Sequence, residues 1–329
     1  MNLEFELFPY DGPTADFASL TGSLLWNLSI AETVEAFLAR GWRHDFGDRV
    51  NTPYGMGPEV HLFRLPGGRE VIWIPSYGNI YGLPEVSREP IQRAYWILWK
   101  AGVRVLLIGG LSGVCDWRDG ASCLRPGDFV LPWSFRTHED HWGLPGTAYD
   151  ATWPEYNVFL EEPFCPALSA VVADIAGEFS EKGVIGRVYT PETLRAALVH
   201  VKTIAFETDY DILLYRVWNK LASQIDPKLP SVVSLHGDCV NPVLARFLGI
   251  HLVYYHVVSN VAQGIEPGGD IHNTFINLVL EKCPKMAIEL EGRLFENWCL
   301  PDAPVCRCVE RVERNPERFL KAITGGMKK

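Results

Sequence analysis

The chain has 329 residues, of which 47% are apolar and 12% are aromatic, so it can bury a large core. Its formal net charge of −10 argues against nucleic acid as the main partner, because neutralising a phosphate backbone requires a basic surface. The most apolar stretch, residues 103–111, is too short to span a bilayer, and the first six residues lack the basic region of a signal peptide. We therefore expect a cytoplasmic protein with no membrane partner.

The eight cysteines form no Cys-x-x-Cys pair, and most lie within or beside apolar segments. This pattern favours reduced thiols with a structural role. Cys306-Arg307-Cys308 could form a disulfide or part of a metal site, but its spacing is unspecific, and two ordinary thiols are the simpler interpretation.

Strand-like and helix-like segments alternate along the chain. The first is a predicted hairpin, in which strands over 60–65 and 70–75 flank Pro66-Gly67-Gly68. Further buried strands are predicted over residues 103–108, 129–132, 200–205 and 250–258. Helices are predicted over residues 90–101, 166–182, 209–221, 241–248 and 272–282.

This alternation predicts an α/β fold, a twisted mixed β-sheet flanked by helices on both faces. No linker interrupts the middle of the chain, so we expect a single domain over residues 41–295. Residues 1–40 are expected to be an irregular N-terminal segment, and residues 296–329 a peripheral tail rich in cysteine and arginine.

Two of the predicted strands end in polar residues. The strand over 200–205 is followed by Phe206-Glu207-Thr208, and the strand over 250–258 by Ser259-Asn260. Open α/β sheets bind ligands at the carboxyl ends of their strands, and Glu207 and Asn260 together offer the acceptors and donors that a purine edge requires. The pair predicts a nucleoside site. The alternatives are a helix cap for Glu207 and a turn residue for Asn260.

Six motifs, in order over residues 50–280, resemble the nucleoside phosphorylase superfamily, and most closely its trimeric branch of purine nucleoside and methylthioadenosine phosphorylases. They are Asn51-Thr52-Pro53-Tyr54-Gly55, Gly109-Gly110-Leu111-Ser112-Gly113, Pro126-Gly127-Asp128-Phe129-Val130, Glu162-Pro163-Phe164-Cys165-Pro166, Phe206-Glu207-Thr208 and Ser259-Asn260-Val261-Ala262-Gln263-Gly264-Ile265. The resemblance implies a nucleoside phosphorylase-like fold, a small loop at Gly109–Gly113 and a homotrimer.

The resemblance also assigns roles in the base pocket. Phe206 stacks on the base, Glu207 binds its N1 and exocyclic edge, and Asn260 binds N7. Negative charge builds at N7 as the glycosidic bond breaks, so that contact strengthens in the transition state. His272 matches a family histidine that contacts the 5′-hydroxyl of the sugar, with a surface histidine as the alternative.

The phosphate site departs from the family pattern. The signature Arg-His-Gly-x-x-His falls on Ser76-Tyr77-Gly78-Asn79-Ile80-Tyr81, which has no cation to bind phosphate. The family's Met-Ser/Thr-x-Pro-Glu falls on residues 236–241, which places His236 and Asp238 at the sugar and the acceptor. His236 and Tyr77 therefore join His272 as candidate sugar-binding residues.

Phosphate as a co-substrate would be held by Ser23, Ser76, the backbone at Gly110, and Arg118. Ser23 belongs to Gly22-Ser23, which resembles the family's N-terminal phosphate loop, although no convincing strand precedes it. Arg118 is more simply explained as a solvated loop residue.

The sequence thus favours a divergent purine nucleoside phosphorylase-like enzyme, a pentosyltransferase acting on the N-glycosidic bond of a purine-type nucleoside. Asn260, His236 and Asp238 are its candidate catalytic residues, with Asp238 or His236 as the general base if water is the acceptor. A nucleosidase and a non-catalytic nucleoside-binding protein are the alternatives. No cofactor or metal site is predicted, because His138-Glu139-Asp140-His141 falls in a loop by the resemblance and fixes no ligand geometry.

Overall fold

The computed structural model describes residues 7–25, 27–75, 89–115, 124–136, 156–158, 160–199, 209–225, 232–237, 239–261, 278, 281–298, 306–309 and 311–313. Its strands are β1 (Phe17–Ser19), β2 (Arg43–Thr52), β3 (Gly55–Arg64), β4 (Glu70–Trp73), β5 (Val105–Val114), β6 (Phe129–Val130), β7 (Ser134–Phe135), β8 (Tyr156–Val158), β9 (Val188–Tyr189), β10 (Arg195–Val199), β11 (Val232–His236), β12 (His251–Val261) and β13 (Arg311–Glu313). Its α-helices are α1 (Ile30–Ala39), α2 (Glu89–Lys100), α3 (Pro166–Glu181), α4 (Asp209–Ile225), α5 (Val240–Leu248) and α6 (Cys283–Asn297).

Eleven of these strands form one mixed sheet, whose main path is β2-β3-β4-β1-β5-β11-β10-β7. β12 pairs in parallel with the whole length of β5, and it also pairs with β6, which pairs with β9. β8 and β13 form a separate antiparallel pair. The predicted α/β fold with a mixed sheet is confirmed.

The two longest central strands, β5 and β12, are buried on both faces, as their nearly continuous apolar sequences require. Leu106 and Leu107 of β5 point to opposite faces and belong to two separate cores. Helices α2 and α5 cover the first core, and α3 and α6 cover the second. This packing fixes the carboxyl ends of β5 and β12 relative to each other.

The elements with strong local signals are confirmed. β3 and β4 form the predicted hairpin, and α2, α3, α4 and α5 lie where helical periodicity placed them. Gly249 ends α5 in the left-handed conformation, with φ of 68°, where a side chain would be strained.

Residues 1–40 differ from the expected irregular segment, because their described part contains β1 and α1. β1 lies in parallel between β4 and β5, and its three residues are too few to show a strand pattern. α1 begins with a capping box, in which Ser29 and Glu32 each bind the other's backbone. The division of the chain into one domain and two flanking segments stays a prediction.

Two further expectations also differ from the structure. Gly109–Gly113 is not a loop but the second half of β5, because the parallel pairing with β12 continues to Val114. The segment after residue 296 is not wholly peripheral, since Cys308 is 2% exposed. The predicted strand over 200–205 lies outside the described residues, and so does most of the predicted helix over 272–282. No helix within the described ranges is long and apolar enough to cross a membrane.

Candidate active site

Strands β5, β11 and β12 bring two of the predicted site residues together at their carboxyl ends. His236 is the last residue of β11, which pairs with β5 through Leu235 and Val114, and Asn260 of β12 pairs with Gly113 of β5. A Cβ atom at Gly113 would lie 2.9 Å from His236 Nδ1 and 3.2 Å from Asn260 Nδ2. Both side chains therefore pack over the same glycine, and only a residue without a side chain leaves them this space.

Asn260 is oriented by an irregularity in its strand. The pairing of β12 with β5 skips Ser259, which is a β-bulge. Oδ1 of Asn260 accepts a hydrogen bond of 2.7 Å from the Ser259 hydroxyl, and Nδ2 donates one of 3.1 Å to the carbonyl of Val261. Each bond uses only part of its group's capacity, so the carboxamide can still donate to a ligand and accept from it.

A buried serine and histidine connect the strands behind this pair. The Ser112 hydroxyl donates to the backbone carbonyl of His236, and its Oγ lies 2.5 Å from Nδ1 of His256. Burial lowers the pKa of His256 to about 3, so its ring is neutral. Because the Ser112 proton goes to the carbonyl, His256 carries its own proton on Nδ1 and donates it to Ser112. Ser112 thus links the end of β11 to β12.

Of the two described residues predicted at the acceptor, Gly110 belongs to β5 and Ser23 lies beside it. Ser23 begins a 3-10 helix (Ser23–Leu25), and its Oγ accepts a hydrogen bond of 2.7 Å from the backbone of Leu111. The Ser23 hydroxyl keeps its proton for a further acceptor. Gly110 pairs with His256, and a Cβ atom at Gly110 would lie 3.1 Å from that ring.

β1 supplies the strand before Gly22-Ser23 that the sequence did not reveal. After β1 the chain runs along β5, where Gly22 donates to the carbonyl of Gly109 at 3.2 Å. The backbone amide of Gly109 donates to Oγ1 of Thr21, also at 3.2 Å. The amide of Gly109 is therefore already hydrogen-bonded within the protein.

A buried carboxyl group lies close to the segment between β1 and the 3-10 helix. The sequence did not reveal it. Glu291 of α6 is 1% exposed, and burial raises its pKa to about 7, although the hydroxyls of Thr21 and Ser19 offset part of the rise. Burial and the charge of Glu291 raise the pKa of Tyr255 well above its usual value. The sequence carries no signal for this group, because a glutamate in a helix is ordinarily a surface residue.

The other predicted site residues lie outside the described part of the chain. They are Phe206, Glu207, Asp238, His272, Tyr77, Ser76 and Arg118, and residues 138–141 lie outside it too. β10 ends at Val199, which pairs with His236, and α4 begins at Asp209. The structure therefore brings together Asn260 and His236, and it places Gly110 on β5 and Ser23 beside β5, while the seven remaining assignments stay predictions.

Comparison with known proteins shows which proteins the chain is similar to. No model of a known protein family matches the chain. It is 28% identical over 220 residues to a probable S-methyl-5′-thioinosine phosphorylase of Methanothermobacter thermautotrophicus, a match that covers 66% of this chain and 64% of that protein. It is 23% identical over 248 residues to a probable 6-oxopurine nucleoside phosphorylase of Thermococcus kodakarensis, covering 74% and 82%. The chain thus matches less than two thirds of the first relative's length.

Solved structures share the fold at lower sequence identity. A methylthioadenosine phosphorylase from an antarctic soil metagenomic library superposes with a TM-score of 0.60 at 15% identity, over 87% of this chain and 88% of that one. The methylthioadenosine phosphorylase of Schistosoma mansoni in complex with adenine gives 0.61 at 15% identity, over 87% and 93%.

The mixed sheet, the long parallel pair of β5 and β12 and these likenesses define a nucleoside phosphorylase fold. The chain is similar in sequence to a probable S-methyl-5′-thioinosine phosphorylase and a probable 6-oxopurine nucleoside phosphorylase, and it shares its fold with methylthioadenosine phosphorylases, so the resemblance carried by the six motifs is confirmed.

Proposed function

We propose that the chain is a divergent purine nucleoside phosphorylase-like enzyme, which breaks the N-glycosidic bond of a purine-type nucleoside. The observation that carries this proposal is the packing of Asn260 and His236 over Gly113, at the carboxyl ends of three neighbouring strands. The names of the two curated relatives, which refer to S-methyl-5′-thioinosine and 6-oxopurine nucleosides, support it.

The proposed reaction breaks the bond between the anomeric carbon and the purine nitrogen. The base leaves with the electron pair, and Asn260 Nδ2 donates to N7, where the charge develops. This bond strengthens as the charge grows, so it lowers the barrier rather than merely improving affinity. An acceptor oxygen forms the new bond to the anomeric carbon, and the base receives a proton.

The proposed acceptor is phosphate, with the Ser23 hydroxyl and the backbone at Gly110 as part of its site. Ser76 and Arg118 are the other proposed contacts to phosphate. Water is the second candidate, because residues 76–81 contain no cation. His236 or Asp238 then accepts the proton of the attacking water.

In the proposed base pocket, Phe206 and Glu207 join Asn260. Phe206 stacks on the base, and Glu207 binds its N1 edge. The proposed sugar contacts are His236, His272 and Tyr77. These roles follow from the family resemblance and from the convergence of His236 and Asn260.

A homotrimer is the proposed assembly, and an exposed apolar stripe on α4 supports association with further copies of the chain. Residues three or four positions apart share one face of a helix. On α4 such a face carries Tyr210, Leu213, Val217, Leu221 and Ile225, which are 46–84% exposed. Surfaces of this kind mark contacts between proteins.

Activity is tested with inosine, adenosine, methylthioadenosine and methylthioinosine, each with and without phosphate, by measuring free base and sugar product. Phosphate-dependent release of base supports phosphorolysis, and release in water alone supports the nucleosidase. Measurable nucleoside binding without any release overturns the enzyme proposal in favour of a binding protein.

A further inference from the structure

Four side chains that can bind a metal meet at the end of β12 opposite the candidate active site. Cys165, His251, Cys306 and Cys308 each offer one ligand atom, and these atoms all lie within 4.8 Å of one another. His251 is the first residue of β12 and Asn260 the tenth, so the rise of the strand separates them by roughly 30 Å. The cluster is therefore distinct from the nucleoside site.

The distances within the cluster fit tetrahedral zinc. Nδ1 of His251 lies 3.2 Å from Sγ of Cys306 and 3.7 Å from Sγ of Cys165. Bonds of about 2.3 Å to sulfur and about 2.0 Å to nitrogen place tetrahedral sulfur and nitrogen ligands about 3.5 Å apart. Small adjustments of the side chains thus suffice to bring the four atoms around one ion.

We propose that Cys165, His251, Cys306 and Cys308 bind one zinc ion with a structural role. Three sulfurs and one imidazole nitrogen form a closed tetrahedral set that is common for structural zinc, and they exclude magnesium and calcium, which prefer oxygen. Cys165, Cys308 and His251 are 1%, 2% and 7% exposed. Cys306 is half-buried, and with four protein ligands a tetrahedral ion has no open position for a substrate.

Cys165 is prepared to act as a thiolate, the form that binds zinc. It occupies the N-cap position of α3, where the partial positive charge of the helix end favours an anion. Its backbone amide donates to the carbonyl of Leu252 at 2.7 Å, which fixes Cys165 beside His251.

A buried arginine holds the two cysteine-bearing segments together. Arg246 of α5 is 3% exposed, and its guanidinium donates to the carbonyls of Arg307 and Glu162. Arg307 lies between Cys306 and Cys308, and Glu162 lies three residues before Cys165. The ligand positions are thus supported by the protein's own hydrogen bonds, as metal sites usually are.

The zinc ion would fasten the C-terminal segment to the core. β13, which follows the Cys306–Cys308 pair, pairs with β8, which precedes Cys165. Ligands from the start of α3, the start of β12 and the C-terminal segment would then be joined at one point. Because a metal that binds only the folded state adds its binding free energy to stability, its removal should loosen this segment first.

Metal content and coordination of the intact, reduced protein test the proposal. We expect equimolar zinc by mass spectrometry after purification or after incubation with zinc chloride. X-ray absorption should show three sulfurs at about 2.3 Å and one nitrogen at about 2.0 Å. Cobalt substitution should give thiolate charge-transfer and tetrahedral d–d absorption. Failure to take up zinc, an oxygen-dominated shell, or a disulfide between any two of these cysteines overturns the proposal.

Variants assign the ligands. Cys306→Ser changes the least buried ligand, and His251→Asn changes the imidazole; we expect each to lose the bound zinc on dialysis against a chelator that leaves it in the wild type. Cys283→Ala and Cys115→Ala each remove a buried cysteine outside the cluster. Both controls should retain zinc. Equal zinc loss from the ligand variants and the controls contradicts the assignment.

Discussion

Gly113 is the residue on which the candidate active site depends most directly. His236 Nδ1 and Asn260 Nδ2 lie 2.9 Å and 3.2 Å from the place of its missing Cβ, so a methyl group there must displace at least one of them. Both are ends of side chains, which can move while the sheet remains folded.

We therefore predict that Gly113→Ala lowers kcat/KM for nucleoside cleavage by about 10²-fold, the usual effect of shifting reacting groups by about 1 Å. Gly177→Ala is the matched control, because no atom lies within 4 Å of its Cβ position in α3. It should keep full activity and gain about 0.5–1 kcal/mol of stability from the better helix former. Full activity in Gly113→Ala would show that the pair plays no part in the reaction.

Glu291 couples stability to pH. Its pKa of about 7 in the folded protein exceeds the usual value of 4.5, so the folded state holds a proton that the unfolded chain has released between these pH values. The contribution of Glu291 to the free energy of unfolding is therefore greatest below pH 4.5 and is lost as the pH rises towards 7.

Glu291→Gln keeps the neutral form at every pH. We predict that urea unfolding finds it more stable than the wild type by about 1–3 kcal/mol at about pH 8, with little difference near the acidic limit. Glu178→Gln is the control, since Arg293 lowers the pKa of this exposed carboxyl and the substitution should bring no gain at high pH. A Glu291→Gln variant no more stable than the wild type at about pH 8 would rule out this coupling.

At the scale of elements, α4 combines a buried and an exposed apolar face. Ile212 and Tyr215 are buried, whereas Leu213 and Leu221 are each 52% exposed. The exposed leucines belong to the stripe proposed to contact other copies of the chain.

Leu213→Asp and Leu221→Asp should each shift the mass measured by light scattering from a trimer towards a monomer, because a buried charge without a partner is costly at an interface. Lys285→Asp, the introduction of the same charge at an exposed position of α6, should leave the mass unchanged. A wild-type monomer, or a trimer unaffected by both aspartates, would remove α4 from any assembly contact.

An element can be predicted from sequence when the residues that determine it are neighbours in the chain. The β3–β4 hairpin and α3 carry their pattern in consecutive residues, so the sequence reveals them. β1 is three residues long and owes its place to β4 and β5 on either side. The family resemblance implied a loop at the glycines 109, 110 and 113, but they are strand residues that make room for Tyr255, His256 and the His236–Asn260 pair.

In the whole molecule, the end of β12 at Asn260 could be recognised from the sequence, whereas no local motif predicts the proposed zinc site. Asn260 was identifiable because it directly follows an apolar run. Cys165 and Cys308, the two ends of the group with His251 and Cys306, are 143 positions apart in the chain, and only the folded sheet brings its members together. Glu291 is similar, since its burial depends on the packing of α6 over β1 and β5.

The proposed chemistry is cleavage of the N-glycosidic bond with Asn260 at the leaving base. Its most direct test is the rate of purine release by the wild type, Asn260→Ala and Asn297→Ala, the last a control on the surface of α6. We predict release by the wild type and by Asn297→Ala, with kcat lower by about 10²–10³-fold in Asn260→Ala. A wild type that releases no purine from any of the four nucleosides, or an Asn260→Ala variant with full activity, would contradict the proposed function.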